Sequence, residues 1–156
     1  GNGYDIAKYL GIDTDEYVLK YLETNNFLEH PYIIYYISKK ENIEKLVLFI
    51  EKNLPLEKLK GLPTNKFNQR IAKDKEFTFL DTMIRNLGNY IGIGENLIIC
   101  ALNSPYVDIR YGAVNTLESW KEKGYILSNE IVKNIKNLEK IEVDEELKIK
   151  LNKLLK

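Results

Sequence analysis

The side chains that could carry chemistry are few. The chain has one histidine, His30, and one cysteine, Cys100. A catalytic imidazole needs an orienting carboxylate, and Glu29 is its sequence neighbour. His30 stands directly before Pro31, however, where a capping or surface role accounts for it. Cys100 lies in the apolar run Ile98-Ile99-Cys100-Ala101, which predicts a buried thiol rather than a nucleophile. A single cysteine leaves no internal disulfide and no multi-cysteine zinc site, and a single histidine leaves no histidine-rich metal centre. Carboxylates gather at Asp13, Asp15 and Glu16 and again at Asp144, Glu145 and Glu146. Both groups fall at predicted helix starts, where negative charge complements the helix dipole. The sequence contains no P-loop, no His-Glu-x-x-His, no Gly-x-Ser-x-Gly and no Asp-x-Asp-x-Asp-Gly loop. With no nucleophile, base and orienting group in view, no catalytic residue, cofactor or metal is assigned. A non-enzymatic role is expected.

Binding residues are better represented. There are 11 tyrosines against five phenylalanines and one tryptophan. Tyrosine has an apolar body and a polar tip, which suits interfaces as well as half-buried core positions. Tyr32, Tyr35 and Tyr36 cluster. Lys+Arg and Asp+Glu are both 23, so the net charge is zero, and only Arg70, Arg85 and Arg110 are arginines. Neutrality and scarce arginine disfavour a nucleic-acid partner. The charge is uneven. Residues 1–38 carry two basic and six acidic side chains, while residues 39–75 carry ten basic and five acidic ones. The excess sits on an irregular basic loop, 54–75, which contains Pro55, Gly61 and Pro63. Its Lys58, Lys60, Lys66, Arg70, Lys73 and Lys75 are the candidates for an anionic partner, against the plainer reading of a solvated flexible loop.

The elements that must position these residues read as helices nearly throughout. Tyr17, Val18, Tyr21 and Leu22 share one helical face, with Asp13 at the capping position. Residues 31–38 are expected to begin a helix at Pro31 that continues into 41–53, where Ile43, Leu46, Val47 and Ile50 face inward. Short helical turns are expected at 56–60 and 67–72. Phe77, Leu80, Met83, Ile84, Leu87 and Ile91 mark a long helix, ended by Gly88, Gly92 and Gly94. A short apolar helix covers 96–102. Ser104 and Pro105 open the helix 105–122 as cap and first residue, and Gly124 closes it. Ser128 and Asp144 cap the last two helices. Nothing alternates with period two, so the chain is read as all-α, in eight or nine helices.

Residues 96–120 carry the one specific pattern. An apolar helix, a turn with Ser104-Pro105, and then Ile109-Arg110, Ala113, Leu117 and Trp120 follow one another. Ile109, Ala113, Leu117 and Trp120 lie at i, i+4, i+8 and i+11, one stripe of a helix, with a small residue where a partner helix comes close. This resembles a HEAT repeat, and His30-Pro31-Tyr32-Ile33 faintly echoes Ser104-Pro105-Tyr106-Val107. The resemblance implies an α-α superhelix of stacked antiparallel helix pairs, HEAT-like or armadillo-like. An irregular helical bundle is the alternative. It implies that Arg110 ties neighbouring repeats together. The usual turn aspartate is missing, which leaves Asp81 as one possible holder of Arg110. It further implies that the second helix of each pair lines the concave surface. Asp108, Tyr111, Asn115 and Glu118 share the face away from the stripe and are the candidate binding residues for a protein or peptide. Some HEAT-like proteins are base-excision enzymes, which keeps a nucleic-acid alternative open.

The length, 156 residues with 44% apolar and 29% charged, fits a single all-helical domain over 1–156. No apolar run approaches 18 residues and no basic-then-apolar leader opens the chain, so no membrane span and a cytoplasmic location are expected. The chain opens at Gly1 and its one methionine is Met83. This suggests an excised piece, such as the C-terminal helical part of a larger protein. Gly1-Asn2-Gly3-Tyr4-Asp5 resembles the Gly-Asn-Gly-Phe-Asp turn of some bacterial defence and nucleotide-fold proteins. There the turn follows an apolar strand. None precedes Gly1 in this sequence, so a linker or simple turn accounts for it.

Overall fold

The computed structural model describes residues 14–68 and 74–156. Gly1–Asp5, the Asp13 cap, Arg70, Lys73 and most of the turn expected at 67–72 lie outside the described residues. Seven α-helices and no strands occur among them: α1 (Thr14–Thr24), α2 (Lys40–Asn53), α3 (Lys75–Asn86), α4 (Glu95–Leu102), α5 (Val107–Glu122), α6 (Asn129–Ile141) and α7 (Glu145–Leu154). Single 3-10 turns stand at Phe27–Glu29, Ile33–Tyr36, Leu56–Leu59 and Leu87–Asn89. None of the described helices is long and apolar enough to cross a membrane.

The helical faces follow the apolar periodicity. Ile43, Leu46, Val47 and Ile50 are buried on α2, as are Ile109, Ala113, Leu117 and Trp120 on α5. Ser128 accepts from the Ile131 N–H and Asp144 from the Leu147 N–H, so both expected caps form. Gly124 takes a left-handed φ of 96°, and the Gly124 and Tyr125 amides reach back to Lys121 O and Trp120 O. That pair of hydrogen bonds is the usual helix-closing motif, and it needs a residue that tolerates positive φ. Gly94 (φ 91°) is more constrained. A Cβ there would lie 2.7 Å from Leu87 Cδ1, so Gly94 lets the start of α4 sit against the end of α3.

Three boundaries differ from expectation. Residues 31–38 do not form a helix continuous with α2. They make the short turn Ile33–Tyr36 and then run extended through Lys39. The cause lies on α1. Asp15 is fully buried, and its carboxylate accepts from Ser38 N, Ser38 Oγ, Lys39 N and Asn42 Nδ2 at 2.9–3.1 Å. It therefore serves the start of α2 from a distant part of the chain, besides standing in the first turn of its own helix as expected. The helix expected through Ile91 stops at Asn86, where a 3-10 turn takes over. Helix α5 starts at Val107 rather than Pro105, since Tyr106 is extended (ψ 126°), although Ser104 Oγ still accepts the Tyr106 N–H.

Contacts between helices recur with a pattern. Thr116 Oγ1 and Trp120 Nε1 of α5 donate at 2.8 Å to Ile84 O and Leu87 O. Ser119 Oγ and Lys123 Nζ donate to Gly88 O. Ile84 O and Leu87 O already accept the Leu87 and Tyr90 amides, so Thr116 and Trp120 are second donors there. The pairs ascend together, so α3 and α5 run side by side in the same direction. Helix α7 lies along α5 in the same sense, through Tyr111–Asp144, Asn115–Lys150 and Lys121–Leu154. Contacts from α2 and the 3-10 turn after it to α4 and its cap, Val47–Gly94, Glu51–Asn96 and Leu56–Cys100, ascend likewise. So do Glu95–Tyr125 and Asn103–Asn134, which join α4 to the α6 region. The buried apolar residues, from Val18 to Leu154, form one cluster between these elements.

Asp15 generates a pH prediction. Burial raises its pKa, but the hydrogen bonds from Asn42, Ser38 and Lys39 outweigh that and hold it below the ordinary 3.8. A depressed carboxylate contributes stability above the unfolded-state pKa and loses it as pH falls through the folded-state value. Asp15→Asn is expected to cost about 2 kcal/mol at pH 7. The gap from wild type should close below pH ~4 as the native carboxyl protonates. Urea unfolding across that range checks it, and a gap independent of pH would contradict it.

Candidate functional site

The candidate binding stripe on α5 is largely occupied from within the chain. Asp108 is not at the surface: it is 6% exposed, and its Oδ1 accepts from Asn68 N at 3.0 Å. The Tyr111 hydroxyl donates to Asp144 Oδ1 at 2.7 Å. Asn115 accepts from Lys150 Nζ at 3.3 Å, and Glu118 pairs with the same ammonium at 3.6 Å. Periodicity placed the four on one face, but α7 and the chain around Asn68 cover much of it. Only Asn115 remains exposed. Burial and the Asp144 contact push the Tyr111 phenol well above its ordinary range, and the Asp144 carboxyl is held low by Tyr111 and the Leu147 amide despite its own burial.

Arg110, expected to join repeats, is wholly buried and so is its partner. That partner is Glu142, not Asp81. Nε and Nη2 donate to the two carboxylate oxygens at 2.8 and 2.7 Å. Nη1 donates to Ser104 O and Pro105 O, and Nη2 also to Thr64 O, at 2.9–3.2 Å. All five guanidinium donors are thereby used. Glu142 Oε1 further accepts from the Val143 and Asp144 amides. One side chain thus joins α5, the turn before it, the α6–α7 turn and the chain at Thr64.

That last segment is the basic loop, and it is not free in solvent. Gly61 N bonds Asn103 O, Thr64 N and Oγ1 bond Pro105 O, and Val107 N bonds Lys66 O. It is strapped along the α4–α5 turn. Lys58, Lys60, Lys66 and Lys75 are exposed along it. Lys60 pairs with Glu57 and Lys75 with Glu29, so no cationic cradle forms from these four.

A polar groove of about 400 Å³ runs between α3 and α5. Arg85, Asn89, Asn115 and Ser119 line it, together with Gly88 and Gly112. Arg85 Nε donates to Asp81 Oδ1 at 2.9 Å, where the arginine side chain is 47% exposed and the aspartate 10%. Burial and the nearby Asp108 raise the Asp81 pKa, and Arg85 opposes them. Asp108 Oδ2 is buried without a hydrogen-bond partner among the described residues. Sequence reasoning missed Arg85, Asn89 and Gly112. The available signals were that Arg85 is one of three arginines and that Gly112 interrupts a helix interior, which is costly without a packing reason.

The nucleophile candidates are quiet. Cys100 is buried, donates to Leu56 O, and has its thiol pushed up to about 11 by desolvation. His30 Nε2 shares a hydrogen bond of 2.9 Å with the Tyr21 hydroxyl. No three His, Cys, Asp or Glu side chains among the described residues are grouped to hold a metal. Comparison with protein-family models, curated proteins and solved structures finds no match.

Glu142→Gln keeps the shape at Arg110 and removes its counter-charge, leaving a buried guanidinium unpaired. The expected loss is about 3–5 kcal/mol, seen as a lower urea midpoint at unchanged slope. A loss below about 1 kcal/mol would show that the pair does not hold these segments together.

Proposed function

We propose that this chain is a helical-repeat binding module that holds an extended peptide segment in the groove between α3 and α5. Two sets of co-directional neighbours, α2/α4/α6 and α3/α5/α7, support the reading of stacked helix pairs. So does Arg110, which links α5 to the turn that opens the next helix. The observation that carries the functional reading is the groove itself. A peptide backbone offers alternating donors and acceptors, and the Asn89 and Asn115 amides supply both kinds of group. The groove is bounded by the rigid α3–α5 contact, so little ordering is needed on binding.

Selection from a displayed random-peptide library on the full chain tests this. Enriched peptides are expected to compete for one site. They should lose about tenfold in affinity on Asn89→Ala/Asn115→Ala, the worth of one or two hydrogen bonds. A second cleft lies between α2 and α4, lined by Lys52 and Asn96, and Lys52→Ala/Asn96→Ala there should leave the peptides' affinity unchanged. The reverse pattern of sensitivity would contradict the assignment.

A further inference from the structure

The groove contains one cation whose hydrogen-bonding capacity is only partly used. Arg85 spends Nε on Asp81 Oδ1, and among the described residues neither Nη atom has a hydrogen-bond partner. The guanidinium is planar, so a bond that fixes Nε also fixes the direction of both Nη groups. Asp81 is itself firmly placed, one helical turn before Arg85 and nine-tenths buried. The Arg85 stem packs where Gly112 lacks a side chain: a Cβ on Gly112 would sit 3.9 Å from Arg85 Cγ and 3.8 Å from Asp81 Oδ1.

We propose that Arg85 is a carboxylate anchor, so that the segment bound in the groove carries an acidic side chain or ends in a free carboxylate at that point. This rests on the peptide-binding reading of the groove. A fork of two parallel N–H donors matches the two oxygens of a carboxylate, and such charge-assisted pairs are about twice as strong as neutral ones. The charges around the groove balance, with Arg85, Lys123 and Lys150 against Asp81, Asp108 and Glu118, so the directed Nη groups rather than a positive field select the carboxylate. Asp81 is already engaged by Arg85, and Glu118 is engaged by Lys150. Asp108 directs Oδ1 to the Asn68 amide and is buried away from solvent. At the other end of the groove Lys123 adds a second cation, held on Gly88 O.

The test is an NMR titration of the full chain that follows the Arg85 Nε–H and the Asn89 and Asn115 side-chain amides. Three probes of one Gly-Ser-rich hexapeptide are compared. One is blocked at both ends with a central glutamate, one is blocked with a central glutamine, and one has no acidic side chain but a free C-terminus. The glutamate or the free-terminus probe is expected to bind about tenfold tighter than the glutamine probe, and which of the two does so names the carboxylate's source. Arg85→Gln should erase that preference. Arg85→Lys keeps a cation on Asp81 but loses the fork, and should retain only part of it. Equal binding of all three probes, or a preference that survives Arg85→Gln, overturns the anchor and leaves the peptide groove standing. If no probe moves the groove resonances, both the anchor and the groove reading fall.

Discussion

The buried guanidinium of Arg110 is the constraint on which the arrangement depends. A buried arginine is tolerable only when each of its donors has an acceptor. Here the acceptors come from places far apart in sequence: Thr64, the Ser104–Pro105 turn and Glu142. The position of Glu142 then propagates. Its Oε1 holds the Val143 and Asp144 amides, and Asp144 caps α7 while accepting from Tyr111. Relative to an apolar replacement, a buried pair of this kind adds little net stability. Its consequence is geometric: the strap, α5 and α7 meet in one register or leave charge unpaired.

Helix α3 joins this assembly by a different device. Around its C-terminal end, Thr116, Ser119, Trp120 and Lys123 donate to Ile84 O, Leu87 O and Gly88 O, two of which also accept backbone amides. Because those donors recur at helical spacing, α3 and α5 are fixed in direction as well as in distance. Gly88 and Gly112 lie along this seam, where a Cβ would meet Ser119 in the one case and Ile84, Asp81 and Arg85 in the other. Arg85 is placed by Asp81 on the same helix, so the groove's charge is set by rigid elements rather than by loops.

What sequence alone conveyed divides along the range of the interactions. Helix faces, the Ser128 and Asp144 caps and the Gly124 stop depend on neighbours within a turn or two, and periodicity finds them. The Ile109-Ala113-Leu117-Trp120 stripe was legible for the same reason. Partners 23 to 46 residues apart were not, as with Asp15 and Ser38 or Arg110 and Thr64. Asp81 was a reasonable holder for Arg110, yet it pairs with Arg85 one turn along its own helix. Tyr111 and Glu118 show the matching limit for the site. Spacing tells which residues share a face, but α7 covers that face and uses their polar atoms. The groove was harder still, since its glycines and Arg85 belong to two helices and only packing brings them together.

The most direct measurement is native-state hydrogen exchange at the amides that surround Arg110. If the guanidinium binds the strap, α5 and the α6–α7 turn into one unit, the amides of Thr64, Val107 and Asp144 open only with the whole molecule. Their opening free energies and denaturant dependence then equal those of Ala113 in the middle of α5. Exchange of Thr64 and Asp144 through small, denaturant-independent openings, with Ala113 still protected, would contradict this by showing that the buried pair leaves its neighbours free to move on their own.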